Sequence, residues 1–242
     1  MKQCLFCLTL FTIVILSVNA QNQIRSGKVT YKFIENKSDF TEDRDDFFDK
    51  IHKQGEGVTF ILSFTEKKSV FEIATTLEND ITPIGQSWAE NIVANGRYYT
   101  DLKENMVYRQ TDAYGEKVLI KYPIDSQDWE LTDEFKFIGK YKTFKAVKNK
   151  MITNSKGTFD FDIVAWYCPQ IPGQFGPKEF NSLPGLILEL KDTHFTFQAV
   201  EIKTIQKNIE IKPFKGKIFT QEEYDDRTKG INTGFFSPKN RW

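Results

Sequence analysis

Cysteine and histidine are scarce in this sequence of 242 residues, which contains three cysteines and two histidines. Cys4 and Cys7 lie in an apolar N-terminal segment, so Cys168 is the one cysteine in the rest of the chain. A single cysteine cannot form an internal disulfide, and His52 and His194 are too far apart in sequence to suggest a metal-ligand motif. The composition therefore excludes a disulfide scaffold, and stability must come from packing and sheet hydrogen bonds.

An excess of either charge is also absent, because 33 basic residues balance 33 acidic ones and no basic run exceeds two residues. Such a chain has no electrostatic field to attract nucleic acid or anionic lipid, so we predict no nucleic-acid partner. The sequence contains no phosphate-binding loop, dinucleotide fingerprint or nucleophile-elbow motif. We therefore predict a protein that is not an enzyme and has no cofactor.

No apolar run is long enough to predict a transmembrane helix. The run Cys4–Val18 has 15 residues and follows the positive start Met1-Lys2, as in a secretory signal. Val18-Asn19-Ala20 has the small or β-branched residues typical of a cleavage site, and the chain then becomes polar. We predict a signal peptide at 1–20 and a mature chain that starts at Gln21, exported to the periplasm or outside the cell. A buried N-terminal helix is the alternative.

What the chain has in abundance is period-two alternation of β-branched and aromatic residues with polar ones. Strands are predicted at Gly27–Glu35, Gly57–Thr65, Ser69–Thr76, Gly96–Leu102, Met106–Gln110, Lys117–Tyr122, Phe135–Ile138, Lys140–Lys148, Thr158–Tyr167, Leu186–Leu190 and His194–Ile202. The sequence shows no repeat and no low-complexity linker. We therefore predict one β-rich domain over 21–242.

Two segments depart from this alternation. Ser38–Gln54 carries apolar residues at helical offsets amid dense charge and ends before Gly55, which predicts an amphipathic helix. Thr220–Thr228 begins with a capping-box pattern and predicts a short C-terminal helix, followed by a loosely ordered tail at about 229–242. The predicted fold is mainly β: a single antiparallel, strongly curved sheet or open barrel, with one amphipathic helix packed on it and a short C-terminal helix.

Few residues suggest a chemical site. Cys168 and His194 could act as nucleophile and base, but a packed thiol is the simpler interpretation. A zinc site would need these two residues with Asp162, without any motif spacing. Asp160 and Asp162 share one strand face and could bind calcium or act as an acid/base pair, but a solvated strand face is the favoured interpretation. We predict no catalytic residue and no metal site.

The most specific feature is a segment in which a strand meets two prolines, crosses a Gly/Pro loop and re-enters an apolar strand. Pro169 and Pro172 each lack a backbone donor, so the strand that ends near Tyr167 cannot continue. Leu183-Pro184-Gly185-Leu186 suits a type II turn, in which Gly185 takes the positive φ. The signature residues, structural or binding, are Trp129, Ala165, Trp166, Tyr167, Cys168, Pro169, Ile171, Pro172, Gly176, Pro177, Leu183, Pro184, Gly185, Leu186 and Ile187.

These residues resemble the GLPGLI family, exported bacterial proteins of unknown function that are named after that hexapeptide. The resemblance covers most of the mature chain and is sharp from Trp129 to Leu190. Ser182 stands where the family name has its first glycine, so we expect no requirement for positive φ there. Thr143 stands where the resemblance implies a cysteine, and Cys168 where threonine is more usual. If those positions face each other, this chain cannot form a bridge there.

Three function classes follow. The first is a binding or carrier module for an apolar small molecule or peptide, in which the predicted helix covers a face of the sheet like a movable lid. The apolar ligand face would consist of Phe40, Phe47, Phe48, Ile51, Phe60, Leu62 and Phe64. The second is an interaction protein that works with outer-membrane transport machinery through a sheet edge. The third is an unrecognised hydrolase.

Overall fold

The computed structural model describes residues 26–36, 46–74, 82–113, 115–124, 128–154, 157–207 and 209–228. The predicted signal peptide, Gln21, Phe40 and the predicted tail lie outside these residues. The strands are β1 (Ser26–Glu35), β2 (Phe60–Thr65), β3 (Lys68–Ile73), β4 (Arg97–Asp101), β5 (Met106–Ala113), β6 (Glu116–Pro123), β7 (Glu130–Ile138), β8 (Tyr141–Asn154), β9 (Gly157–Cys168), β10 (Leu186–Lys191), β11 (Phe195–Ile205) and β12 (Lys217–Thr220). The helices are α1 (Asp46–Gly55), α2 (Pro83–Trp88), which a π-helical turn extends over Ala89–Val93, and α3 (Gln221–Thr228).

All twelve strands form one open sheet in the order β12-β6-β5-β4-β3-β2-β1-β11-β10-β9-β8-β7. More than half of the described residues lie in strands and few lie in helices, which confirms the mainly β class. The prediction of a purely antiparallel sheet is wrong at one edge, because β12 pairs parallel to β6 from Lys217↔Val118 to Thr220↔Lys121. Two parallel neighbours need a long connection, and the connection from β6 to β12 runs through β7 to β11.

The alternation of side chains gives the sheet a buried face and an outer face. In β2, Phe60, Leu62 and Phe64 are buried, whereas the intervening residues are half-buried. The register aligns them with Tyr31, Val29 and Gly27 of β1, so neighbouring strands place their apolar residues on the same side. We call this side the core face, and it carries most of the hydrophobic core.

Two helices, not one, cover the core face near β1 and β2. α1 begins inside the predicted helix Ser38–Gln54 and ends one residue beyond it, at Gly55. Residues 38–45 of the predicted helix lie outside the described residues. α2 was not predicted; Thr82 caps it by accepting a hydrogen bond from the Gly85 amide at 3.1 Å. The Trp88 ring packs on Gly55, where any β-carbon would lie 2.5 Å from the ring. None of the helices within the described ranges is long and apolar enough to cross a membrane.

The predicted C-terminal helix is confirmed as α3, including its cap. The Glu223 amide donates to Thr220 Oγ1 at 3.2 Å, and the Thr220 amide donates to Glu223 Oε2 at 2.7 Å. This reciprocal pair satisfies two backbone donors that the first helical turn leaves open. Tyr224 then packs with Val118 and Phe219, so α3 covers the β12 end of the core face.

Candidate functional site

Residues 169–185, which we call the signature loop, connect β9 to β10 and fill the centre of the core face. Backbone hydrogen bonds tie the loop to β10: the amides of Leu186 and Ile187 donate to the carbonyls of Ile171 and Phe175 at 3.2 and 2.9 Å. The Tyr31 hydroxyl donates to the Ile187 carbonyl at 2.5 Å. Full burial raises the pKa of Tyr31 far above its usual value, so this donor stays protonated.

The predicted signature residues are brought together by this loop. Ten of them are buried: Ala165, Tyr167 and Cys168 of β9, Ile171, Gly176, Pro177, Leu183 and Gly185 of the loop, and Leu186 and Ile187 at the start of β10. Trp129, Trp166 and Pro172 are half-buried, and Pro169 and Pro184 are exposed. Trp166 and Tyr167 point to opposite sides of β9, as adjacent strand residues must. The burial of most of this set indicates a structural role for it.

The turn before β10 differs from the type II turn predicted. The Gly185 amide donates to the Leu183 carbonyl at 2.8 Å, two residues back, which is the hydrogen bond of a γ-turn centred on Pro184. Gly185 does have a positive φ, of +152°. Ser182 also has a positive φ, of +70°, contrary to the expectation for this position. A glycine in its place, as in the family name, fits the same backbone.

A buried ion pair fixes the middle of the loop. Lys178 Nζ lies 2.5 Å from Asp192 Oδ2, with side-chain exposures of 10% and 9%. Asp192 Oδ1 also accepts the amides of His194 and Phe195 at 2.9 and 2.8 Å. Burial alone would raise the pKa of Asp192, but the Lys178 charge and these hydrogen bonds outweigh it and hold the pKa below its usual value. We call this pair the Lys178–Asp192 latch.

A second polar group of the loop reaches the opposite half of the sheet. Glu179 lies beside the Tyr98 hydroxyl, with Tyr122 and Arg109 nearby on the core face. Burial raises the pKa of both tyrosines well above its usual value; the Glu179 charge adds to this, and the Arg109 charge opposes it. Both phenols therefore stay neutral, and the cluster joins the loop to β4, β5 and β6 rather than supplying a base.

The candidates for catalysis lie apart. Cys168 pairs with Leu186 at the first residue of β10, while His194 follows Lys191 at the last. The length of β10 therefore separates them by roughly 16 Å. Burial raises the pKa of the Cys168 thiol, which disfavours the nucleophilic thiolate. Asp160 and Asp162 are exposed on β9. Within the described ranges, no three His, Cys, Asp or Glu side chains are placed to hold a metal ion.

The part of the predicted apolar ligand face that lies on β2 is buried within the protein. Phe60, Leu62 and Phe64 are at most 1% exposed. Phe60 stacks on Phe71 at a centroid distance of 5.4 Å, and a β-carbon at Gly173 of the signature loop would lie 3.5 Å from the Phe64 ring. Ile51 is half-buried on α1, which also contains Phe47 and Phe48. The rings on β2 therefore serve as core packing.

One exposed aromatic surface lies on the edge strand β7. Phe135 and Phe137 are 56% and 64% exposed, and their ring centroids are 6.5 Å apart. Lys142 of β8 places its ammonium 4.2 Å from the Phe135 centroid and 5.0 Å from that of Phe144. We call Phe135, Phe137, Lys142 and Phe144 the β7 edge surface. Large exposed rings next to a strand edge are typical of an interaction site.

Sequence reasoning did not single out the residues that fasten the loop or those of the β7 edge surface. Lys178, Glu179 and Asn181 lie between signature residues, yet a charged residue in a Gly/Pro loop gives no local sign that it will be buried. Phe135 and Phe137 belong to the predicted strand Phe135–Ile138, and residues two apart in a strand lie on the same face. Their exposure depends on β7 being an edge strand, which only the strand order reveals.

A family model described as "Protein of unknown function (Porph_ging)" matches residues 155–189. No curated protein matches the sequence. Two solved structures of PNGF-II, in different space groups, resemble the fold with TM-scores of 0.53 and 0.52 and sequence identities of 16% and 17%. Each likeness covers 84% of this chain, which spans about a third of the solved chains, 32% and 33%. The matched segment contains β9, the signature loop and most of β10, and it carries the signature of the GLPGLI-type family.

Proposed function

We propose that this protein is an exported, non-enzymatic interaction module that binds an extended segment of a partner protein at the β7 edge surface. The observation that carries the proposal is the exposure of Phe135 and Phe137 on a terminal strand of a sheet whose other phenylalanines are mostly buried. A strand edge offers unpaired backbone donors and acceptors, and pockets or rings beside it select the partner's side chains.

The chemistry of β7 limits where a partner can pair. The β7–β8 register shifts between Leu131 and Phe135, and the exposed charges Asp133 and Glu134 lie within this irregular part. Bulges and charges are the usual means by which an edge is protected from pairing. The regular part from Phe135 to Ile138 is left for a partner strand, with room for about two side chains on each face.

Lys142 and Phe135 define the partner's chemistry. An ammonium held over two aromatic rings still offers donors to a carboxylate, and the rings offer apolar area. We expect a partner strand in which apolar or aromatic residues alternate with acidic ones. Because the N-terminal sequence predicts export, a protein of the outer-membrane transport machinery is the partner class that fits this compartment.

One further observation favours an interaction module over a carrier of apolar molecules. The β2 rings that would bind such a ligand, Phe60 and Phe64, are covered by the signature loop and by other core rings. A strongly curved sheet around the signature loop is part of this proposal, since the loop contacts strands from both halves.

Site-specific photo-crosslinking in cells that express the full chain tests the proposal. A crosslinking residue at Phe137 should capture one discrete partner, whereas the same residue at Met151, which is 71% exposed on β8, should not. The double substitution Phe135→Ser and Phe137→Ser should abolish binding of the purified partner in calorimetry, while Met151→Ser retains it. Equal capture from both positions, or unchanged affinity of the double variant, would overturn the proposal.

A further inference from the structure

An open groove of about 500 Å³ lies on the outer face of the sheet, near the end opposite to β7. We call residues 209–215 the strap, and residues 210–215 of it form one wall of the groove. The floor is formed mainly by β3, β4, β5 and β6. Glu72, Arg97 and Gln110 line the floor, while their sequence neighbours Phe71, Tyr98 and Arg109 point to the core face. The groove is therefore separate from the signature loop and from the β7 edge surface.

The floor of the groove is rigidly built around Arg97. Its guanidinium pairs with the Glu72 carboxylate, donates to Gln110 Oε1 at 3.0 Å and stacks on the Phe214 ring at 4.5 Å. Gln110, which is 6% exposed, uses its Nε2 to donate to the Lys215 carbonyl at 3.1 Å. One chain of hydrogen bonds thus ties the strap to the sheet beside the groove.

The lining has an excess of positive charge in a chain whose net charge is zero. Arg97, Lys117, Lys212 and Lys215 are basic, whereas Glu72 and Glu210 are acidic. Arg97 neutralises Glu72, and Lys212 lies 3.4 Å from Glu210. Among the described residues, no carboxylate lies within 4.0 Å of Lys117 or Lys215. Two cations along one groove are therefore left for a ligand.

We propose that this groove binds an extended, acidic peptide segment. Its carboxylates pair with Lys117 and Lys215, and its main chain pairs with the strap. Across the described part of the chain, no backbone-to-backbone hydrogen bond engages 209–215, so the strap offers donors and acceptors like those of a sheet edge. Together with the β7 edge surface, this site lets one molecule bind two protein segments at opposite ends of its sheet.

Fluorescence polarisation with a labelled peptide of alternating Glu and Val tests the inference on the full chain. We expect saturable binding that weakens with added salt, and at least tenfold weaker binding by the double variant Lys117→Gln, Lys215→Gln. The control Lys103→Gln, Lys191→Gln removes the same charge from exposed positions outside the groove and should change affinity less than twofold.

Three outcomes would overturn the inference. One is an equal loss of affinity in the control variant, which would mean nonspecific attraction to any surface lysine. Another is equal affinity for the matching peptide of Gln and Val, because the carboxylates would then contribute nothing. The third is stronger competition by a uronic-acid oligosaccharide than by unlabelled peptide, which would assign the groove to an anionic sugar. Both groove lysines are exposed, so the variant should fold, and a thermal melt verifies this.

Discussion

Two positions of the signature loop, Ser182 and Gly185, both have positive φ but differ in the space around them. A β-carbon on Gly185 would lie 2.3 Å from the Cys168 carbonyl oxygen, which is backbone and cannot move aside. Its φ of +152° also lies in a region that only glycine occupies readily. Ser182, at +70°, is in the left-handed region that other residues visit at moderate cost.

Gly185→Ala should therefore lower the free energy of unfolding by at least about 3 kcal/mol, from backbone strain and overpacking together. Gly57→Ala is the matched control, because Gly57 has a φ of +94° and no atom within 4 Å of its would-be β-carbon. The Gly57→Ala change adds backbone strain without overpacking, so it should lower the free energy of unfolding by about 1 kcal/mol. Urea unfolding of both variants measures the two free energies of unfolding. An equal decrease in both variants would mean that the contact with the Cys168 carbonyl is not tight.

Ser182→Gly should leave the free energy of unfolding within about 1 kcal/mol of the parent protein. Glycine removes the strain of a left-handed backbone at this position. This gain offsets the greater conformational entropy of glycine in the unfolded chain and the loss of the 2.6 Å hydrogen bond from Ser182 Oγ to Asn181 Oδ1. Ser182→Val adds a β-branched side chain at the same φ and should cost about 1–3 kcal/mol. Thermal melts in which valine is tolerated as well as glycine would contradict the left-handed assignment.

At the scale of the elements, the Lys178–Asp192 latch makes the stability of the signature loop dependent on pH. The pKa of Asp192 is lower in the folded protein than its ordinary value of 3.8, so folding favours the charged form. This stabilisation is fully present above that ordinary value and is lost as the pH falls through the folded pKa. Because the folded pKa is depressed, the latch should withstand mild acid, and the loop should loosen only as the pH falls below about 4.

Asp192→Asn should lower the free energy of unfolding at pH 7 by about 3–5 kcal/mol, because it leaves the Lys178 charge buried without its partner. The control is Glu134→Gln, which breaks the 2.8 Å pair with Lys145; Glu134 is 61% exposed, and the change should cost less than about 1 kcal/mol. Denaturant titrations at pH 7 and pH 3 should show less pH dependence in Asp192→Asn than in the parent. An unchanged pH dependence would contradict the role of the latch.

The alternation of apolar and polar residues predicts most of the strands correctly, because a strand with one buried and one exposed face has this alternation in its sequence. It did not locate α2 or β12. The start of α2 did carry signals, Thr82 as cap and Pro83 at the first turn, but the helix is short and includes Gly85. β12 has four residues, and its parallel pairing depends on where the strap crosses the sheet. Such features are decided by tertiary contacts that local patterns do not contain.

At the scale of the whole molecule, the signature loop joins the two halves of the sheet. Trp129, just before β7, donates from Nε1 to the Asn181 carbonyl at 3.0 Å, while Glu179 reaches Tyr98 on β4. The sequence predicted one β-rich domain and the importance of Trp129, Gly185 and Ile187. It could not predict that β7 and β12 are the two edges, because strand order follows from long-range pairing.

Trp129→Phe keeps the ring contact with Phe180 but removes the donor to Asn181, and it should cost about 1–3 kcal/mol because a largely buried carbonyl loses its partner. Amide hydrogen exchange should accelerate in β7, which this bond fastens to the loop, and stay unchanged in β1 to β3. Uniform acceleration across the sheet would show that the bond contributes to global stability alone. No acceleration in β7 would show that the edge is held by other contacts.

The burial of the Cys168 thiol makes its chemical modification a measure of how often the signature loop opens. A fully buried thiol, whose pKa burial also raises, reacts with an alkylating reagent only while the loop is lifted. The modification rate of Cys168 therefore reports how often the loop opens. Mass spectrometry distinguishes the peptide that contains Cys168 from the peptides that contain Cys4 and Cys7. A bound partner that holds the loop closed should lower the rate of Cys168 modification. Partner binding could therefore be followed without any introduced label.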